Sequence, residues 1–184
     1  DPKSLDHHDD QDLVPAIAWE KYKTKPKELK KREKIWARDP EIAYFYAVRF
    51  GIRFPLGEPS IAKDPEWSFQ YATHVLFGSF PLGEQTIAKD AHWSCLYAKF
   101  VLGKPFKLGE LEIAKNAERS YEYAREVLKD RFKLGEPAIS KSAEYSYWYS
   151  IIVLDKRFKL GEPAIAKHSY WESLYTEKFH CFIT

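Results

Sequence analysis

The chain has 184 residues, of which 45% are apolar and 16% aromatic, and its formal net charge is +2. Such a composition excludes a disordered chain, and the near-neutral charge argues against a protein that coats nucleic acid along its whole surface. Because the two cysteines are far apart and no apolar run approaches the roughly 20 residues of a membrane span, we expect a soluble, cytoplasmic protein without a membrane partner.

The first segment, residues 1–12, is acidic. It carries five aspartates against a single lysine and has no apolar periodicity, which predicts a mobile tail. The run from His7 to Asp10 could be interpreted as metal ligands. Adjacent residues in a mobile tail cannot preset a coordination geometry, however, so we expect no metal site and no cofactor.

Residues 13–35 are predicted to form a basic N-terminal cap. The stretch from Val14 to Trp19 contains the Pro-Ala-Ile-Ala sequence that occurs again at 163–166, which indicates a degenerate N-terminal cap of the repeats. A basic run from Lys21 to Lys34 follows, and it includes Lys30, Lys31 and Arg32. Two interpretations stay open for this run, a solvated cap helix or a phosphate-binding surface.

A tandem repeat occupies most of the remaining chain. The sequence Phe-Lys-Leu-Gly-Glu-Pro-Ala-Ile at 132–139 recurs with small changes, and its isoleucine falls every 26 residues, at positions 61, 87, 113, 139 and 165. We assign five repeats to residues 36–164 and a half repeat to 165–184. The first repeat is one residue short between Tyr46 and Phe54. A period of this length is typical of helical arrays and solenoids.

Each repeat is predicted to contain a short helix and a long helix. Glu-Pro opens the short helix and a lysine follows its end. The long helix begins at a capping residue and runs for about 13 residues. The predicted caps are Asp39, Asp64, Asp90, Asn116 and Ser142, and the predicted ends lie near Gly51, Gly78, Gly103, Asp130 and Lys156. The fold class is therefore all-α, an α-solenoid of tandem short-helix and long-helix repeats.

Positions that hardly vary between repeats indicate the core. Ser120, Tyr123, Ala124, Val127 and Leu128 represent these positions, and their spacing traces one face of a helix. Large residues on either side of that stripe, such as Trp67 and Tyr145, are predicted to pack repeat against repeat. The tyrosine needs a partner for its hydroxyl group.

Positions that vary between repeats point outward and predict a protein-binding face. The candidate binding residues are Phe45, Leu96, Phe100, Trp148, Ile151 and Ile152. A purely structural surface would prefer polar residues at such sites, and exposed apolar clusters rimmed by charge are typical of interfaces. The alternative is that another element of the protein, or a second copy of it, covers them.

A basic ridge beside the recurring phenylalanines supports a rival interpretation, nucleic-acid binding. The ridge comprises Lys104, Lys107, Arg131, Lys133, Arg157 and Lys159, and it would act together with the basic cap. Sequestration of a small nucleotide signal between subunits is a third possibility.

Nothing in the sequence indicates catalysis. His92 and Cys95 are one helical turn apart, but Cys95 takes a position that tyrosine or phenylalanine fills in other repeats, so a buried, inert thiol is expected. His180 and Cys181 lie in an apolar C-terminal stretch. There is no Walker loop, GxGxxG or HExxH motif, and we predict that the protein is not an enzyme.

The half repeat at 165–184 is unusually apolar for a terminal cap. Trp171, Leu174, Tyr175, Phe179, Phe182 and Ile183 make up its apolar content. The end could fold back over the fifth repeat, continue in a longer natural chain, or meet a second copy. We expect a homodimer through this half repeat, since a two-fold interface needs only one self-complementary patch.

The repeat Ile-Ala-Lys-Asp-Pro-Glu-Trp-Ser-Phe-Gln-Tyr-Ala at 61–72, taken with Leu-Gly-Glu-Pro at 134–137, resembles short tandem repeats found in uncharacterised tailed-phage proteins. The likeness covers roughly residues 35–175. It implies a small phage-encoded protein and transfers no catalytic residues. By analogy it also implies a host-directed binder, such as an inhibitor of a defence enzyme.

Overall fold

The computed structural model describes residues 24–183, and within them every regular element is helical. This confirms the all-α repeat fold. The chain divides into two compact units, one up to Thr86 and the other from Ile87 onward. The acidic tail, its candidate metal ligands and the first part of the basic cap lie outside the described residues.

The first unit alternates long and short helices. Its helices are α1 (Pro26–Trp36), α2 (Pro40–Phe50), α3 (Glu58–Ile61), α4 (Pro65–Tyr71) and α5 (Pro81–Ile87), the last ending at the unit boundary. Helix α4 continues directly into a π-helical segment, Ala72–Leu76.

The second unit repeats the same order. Its helices are α6 (Ala91–Leu96), α7 (Glu110–Ile113), α8 (Ala117–Glu122), α9 (Glu136–Ile139), α10 (Ala143–Trp148), α11 (Glu162–Ile165) and α12 (Ser169–Phe179). Helices α6, α8 and α10 continue as the π-helical segments Tyr97–Leu102, Tyr123–Leu128 and Tyr149–Val153. Single 3-10 turns, Lys107–Gly109 and Lys159–Gly161, precede α7 and α11.

The predicted caps begin the long helices. In each case the side chain of the capping residue accepts a hydrogen bond from the backbone N–H three residues later, at 2.9 Å for Asp39 and 3.3 Å for Ser142. Asp64, Asp90 and Asn116 make the same bond. These caps satisfy donors that the first turn of a helix leaves free, which explains why short polar residues occupy the position in these five repeats. His168, at the same position of the half repeat, makes no such bond.

The π-helical segments account for the extra residue of the later repeats. Helix α2 is α-helical throughout, and its repeat has one residue fewer between Tyr46 and Phe54 than the next has between Tyr71 and Phe80. A π turn closes its hydrogen bond over one more residue than an α turn does. The later long helices therefore absorb the inserted residue and still deliver the next phenylalanine to the same place.

A close contact joins each of these turns to a long helix, between a glycine and a serine in four cases and between Gly57 and Ala43 in the first. A Cβ atom added to Gly135 would lie 2.6 Å from the Cβ atom of Ser120, and Gly83 meets Ser68 in the same way. Ser120 is fully buried, and its Oγ donates to the carbonyl oxygen of Ile113 at 3.0 Å. Because no larger side chain fits on either side, both residues recur in the repeats.

The recurring tyrosine makes a three-part hydrogen-bonded arrangement that we call the tyrosine clasp. In one example the Tyr149 hydroxyl accepts the backbone N–H of Phe132 at 3.0 Å and donates to Glu136 Oε1 at 3.0 Å. The other clasps are Tyr71 with Phe54 and Glu58, Tyr123 with Phe106 and Glu110, and Tyr175 with Phe158 and Glu162. The buried hydroxyl is thus fully satisfied.

The glutamate of the clasp also holds a cation. Arg131 donates to both carboxylate oxygens of Glu136, at 2.7 and 2.9 Å, and Arg157 does the same to Glu162 at 2.8 and 2.9 Å. In the first repeat, Glu33 of α1 accepts from the Tyr46 hydroxyl at 2.6 Å. Helix α1 therefore supplies to its neighbour the carboxylate that a repeat would provide.

These carboxylates predict a loss of stability in acid. The hydrogen bond from Arg157 holds the pKa of Glu162 below its ordinary value of 4.5, against the opposing effect of burial, and the Tyr175 hydroxyl adds to the lowering. A lowered pKa stabilises the fold fully above the unfolded value and no longer does so once the pH falls through the folded one. We expect the Tm to hold from neutral pH down to about pH 5 and to fall below that.

Thermal melts over a pH series measure this loss. Glu162→Gln should lower the Tm at neutral pH and flatten its fall in acid, because the titrating group is gone. Glu144→Gln, on the exposed side of α10, should leave the acid slope unchanged. An identical acid slope in the Glu162→Gln variant would show that the clasp does not carry the effect.

The long helices end at residues in the left-handed region. Gly51 and Gly103 occupy this position with φ of 60° and 59°, but Phe77, Lys129 and Asp155 adopt it as well. The ends in these three repeats lie one residue before the expected Gly78, Asp130 and Lys156. A residue other than glycine is strained in this conformation, because its Cβ atom crowds the backbone.

Two substitutions at this position should change stability in opposite directions. Lys129→Gly should raise the free energy of unfolding by about 0.5–1 kcal/mol, since it relieves the strain at φ 51°. Gly103→Ala should lower it by about 1 kcal/mol, although an added Cβ atom meets nothing within 4 Å. Chemical denaturation compares the two, and a change of the same sign in both variants would contradict the strain argument.

The last described residues fold back onto the end of the second unit. Ile183 is buried in a cluster with Tyr147, Ile165 and Tyr175, whereas Phe182 is 95% exposed. The apolar half repeat is therefore partly covered by its own chain. Self-association through this end stays a prediction.

Candidate functional site

The outer face of the second unit gathers several predicted binding residues. Phe100, Trp148 and Ile152 are exposed there, and Leu96 is half-buried. Ile151 was predicted for the same face, but it packs against the buried cluster that contains Tyr147. The face forms because the opposite side of each long helix is taken up by the buried serine, tyrosine and alanine. Phe100 and Ile152 occupy the same repeat position, with Glu126 at that position in the repeat between them.

A groove of about 310 Å³ opens on this face. It is lined by Tyr121, Arg125, Glu144, Tyr145, Trp148 and Ile152. The rings of Tyr121 and Tyr145 lie with their centroids 6.0 Å apart, as predicted for residues that pack repeat against repeat. The Arg125 guanidinium lies 5.2 Å from the centroid of the Tyr121 ring. The groove therefore has an aromatic floor, with Arg125 and Glu144 at its margin. Such a groove can accept an apolar side chain of a partner.

Trp148 is held in place by neighbouring rings. It meets Tyr147 edge-on at a centroid distance of 5.1 Å and Trp171 at 6.1 Å. A large aromatic side chain that is already fixed loses little conformational entropy when a partner binds. Trp148 therefore has the properties of an anchor residue.

The charges between the apolar positions are paired within the chain. Glu122 accepts a hydrogen bond from Arg119 at 2.6 Å, and Glu126 lies 3.6 Å from Lys99. A hydrogen bond from Arg125 lowers the pKa of Glu126, so that carboxylate stays ionised at neutral pH. The face thus presents apolar patches separated by neutralised charge.

Phe45, another predicted binding residue, belongs to the first unit. It is exposed on α2, and its ring meets Trp67 edge-on at a centroid distance of 5.8 Å. Beside it, Tyr44 hydrogen-bonds His74 at 2.9 Å. Phe45 is therefore a second exposed aromatic residue supported by an inter-repeat contact.

The basic ridge is only partly free. Arg131 and Arg157 are committed to the clasp glutamates, and Lys107 Nζ lies 3.0 Å from Glu110. Lys104, Lys133 and Lys159 are exposed, and no ion pair joins them to a carboxylate in the described part of the chain. On α1, Lys30 and Lys31 are exposed and Arg32 is half-buried.

Sequence reasoning missed four residues of the groove, Tyr121, Arg125, Glu144 and Tyr145. Tyr121 and Tyr145 were expected only to pack between repeats, and Arg125 takes a position where other repeats have threonine, lysine or isoleucine. Variation at that position was a usable signal. The contact between the Arg125 guanidinium and the Tyr121 ring could not be predicted from the sequence.

Cys95, one of the residues considered for chemistry, is buried as expected. Burial raises the pKa of the Cys95 thiol to about 11, so the thiol is protonated at neutral pH. Within residues 24–183 no set of three or more His, Cys, Asp or Glu side chains could hold a metal ion. In the same part of the chain, no helix is both long and apolar enough to span a membrane.

Comparison with known proteins adds no relative. No protein-family model, curated protein or solved structure matches the chain.

Proposed function

We propose that the protein is a non-enzymatic interaction module that binds another protein through the outer face of its second unit. The observation that carries the proposal is the exposure of Phe100, Trp148 and Ile152, of which the last two line the groove floored by Tyr121 and Tyr145. Aromatic and arginine side chains around a central apolar anchor are typical of the residues that dominate binding energy.

The resemblance to tailed-phage repeats supports a proposal about the cell in which the chain acts and the partner it binds. On that proposal the chain acts in the cytoplasm of a bacterial host, and its partner is a host protein such as a defence enzyme, which it would inhibit. The proposal needs no cofactor and no catalytic residue of this chain.

Capture from a bacterial host lysate tests the proposal. The immobilised chain should retain a stoichiometric partner, and the double substitution Phe100→Asp with Trp148→Asp should abolish that retention. With the purified partner, the Kd should rise by about 100-fold or more, because two apolar anchors are replaced by charges that the interface must desolvate.

The matched control is Leu111→Asp. Leu111 is also an exposed apolar residue, but it lies on α7, away from the outer face. This variant should keep full capture, and circular dichroism should report the same helix content in all three proteins. Capture that survives the double substitution would show that the outer face is not the binding site.

Nucleic-acid binding is the alternative, and it has less support. Arg131, Arg157 and Lys107 are already paired with carboxylates, which lowers the positive potential that phosphates would meet. A gel shift with DNA or RNA that weakens steeply with salt would favour it. A thermal shift with cyclic oligonucleotides, and none with proteins, would instead favour sequestration of a nucleotide signal.

A further inference from the structure

One leucine in every repeat leaves about half of its side chain exposed to solvent. It precedes the recurring glycine, and its exposed fraction lies between 45% and 54% at Leu56, Leu82, Leu108, Leu134 and Leu160. Phe132, Gly135 and Ile139 of the same motif are buried. A single exposed leucine needs no explanation, but the same leucine at one position in five repeats does.

A lysine accompanies this leucine only in the second unit. Lys107, Lys133 and Lys159 stand directly before the leucines there, whereas the first unit has Pro55 and Pro81 at the same position. We call the six residues Lys107, Leu108, Lys133, Leu134, Lys159 and Leu160 the lysine–leucine edge. All six side chains are exposed.

The charges of the edge are available to a partner. Lys133 and Lys159 make no ion pair with a described carboxylate. Lys107 pairs with Glu110, but its side chain is still largely exposed. The neighbouring Arg131 and Arg157 make the direct ion pairs with the clasp glutamates, and Lys133 and Lys159 act on Glu136 and Glu162 only electrostatically. The edge therefore presents a net positive charge alternating with apolar side chains.

We propose that the lysine–leucine edge binds an acidic polypeptide segment that carries apolar side chains between its carboxylates. The ammonium groups attract the carboxylates, and the half-exposed leucines gain burial against the partner's apolar groups. Nucleic acid fits the edge less well, because its phosphates would pair with the lysines but offer no apolar surface against which the leucines could be buried. The phenylalanines beside the edge, Phe106, Phe132 and Phe158, are buried and offer no ring for base stacking.

The edge is distinct from the outer face described above. Its residues lie in the turns that lead into α7, α9 and α11, whereas Phe100 and Ile152 lie in π-helical segments. Binding at the edge does not depend on binding at the outer face, and a substitution in one leaves the other intact.

Fluorescence anisotropy with a labelled peptide tests the proposal. The probe is a peptide of four Asp-Leu-Glu units, added to the full chain at low salt. Leu134→Ser with Leu160→Ser should raise its Kd by about tenfold or more. The matched control, Leu56→Ser with Leu82→Ser, removes two leucines of the same repeat position that have no lysine beside them, and it should leave the Kd unchanged.

A second pair of variants tests the charge. Lys133→Gln with Lys159→Gln should weaken the peptide at low salt and reduce the dependence of its Kd on salt. The proposal is overturned if a peptide of four Asp-Ser-Glu units binds as tightly, since charge alone would then suffice. It is equally overturned if the leucine variants bind the probe unchanged, if the probe does not bind the unaltered chain, or if a single-stranded DNA of equal charge binds more tightly.

Discussion

Tyr123→Ala should lower the free energy of unfolding by about 3–5 kcal/mol. Tyr123 is fully buried, and its ring lies with its centroid 5.1 Å from that of Phe132. Its hydroxyl accepts the backbone N–H of Phe106 and donates to Glu110, both at 2.9 Å. The substitution removes the ring and leaves two polar groups without their partner, and guanidinium denaturation followed by circular dichroism measures the loss.

Two control variants separate the contributions. Tyr123→Phe keeps the ring and removes only the hydroxyl, so it should cost about 1–3 kcal/mol for the stranded N–H and carboxylate. Glu122→Ala, one residue away, loses only a surface pair with Arg119 and should cost less than about 1 kcal/mol. Equal losses at positions 122 and 123 would mean that the tyrosine does not face the core as described.

Gly135→Ala should lower the free energy of unfolding by about 3 kcal/mol, because the new methyl group has no space. An added Cβ atom would lie 2.5 Å from Ser120 Oγ and 2.6 Å from Phe132 Cδ1. Ser120 cannot turn aside without losing its hydrogen bond to the Ile113 carbonyl. Thermal denaturation should show the loss, which exceeds that of Gly103→Ala, where the added atom meets nothing.

A second substitution should restore part of this stability. Ser120→Gly removes the facing Cβ and Oγ atoms, so Gly135→Ala should cost much less in its presence than in the natural chain. The coupling free energy of this double-mutant cycle should be about 1–3 kcal/mol. Strict additivity of the two substitutions would show that the two residues do not constrain each other.

The repeat pattern made much of the fold predictable. Asp64 and Ser142 cap long helices as expected, and the spacing of Ser120, Tyr123 and Ala124 placed them correctly in the core. These predictions succeeded because each depends on local geometry, a cap or a helical period, that a single sequence reveals. The valine and leucine at the end of the same stripe, 127 and 128, are only half-buried. The tyrosine hydroxyl was also expected to need a partner.

The partners across the repeat were harder to predict. Glu136 was expected only to open a short helix, yet its carboxylate binds Tyr149 and Arg131, which lie 13 residues after and 5 residues before it. Arg131 was likewise assigned to a basic ridge, because its pairing with Glu136 was not predicted. Sequence periodicity shows that two residues recur together, but it does not show which of them touch.

The π-helical segments and the groove were not predicted at all. The extra residue of the later repeats was visible as a length difference, but a loop could have absorbed it as readily as a helix. The groove needs the relative placement of Tyr121, Tyr145 and Trp148, which come from two successive long helices. Their exact separation depends on packing that no spacing rule encodes.

The tyrosine clasp also bears on how the chain reaches its folded state. Its bonds join residues 17 and 13 positions apart, and the serine bond of Ser120 spans only 7. Closing such short loops costs little entropy, and chains dominated by contacts between near neighbours in sequence fold quickly. Each clasp can therefore form before distant parts of the chain have met, and folding can begin at any of several repeats and spread to those beside it.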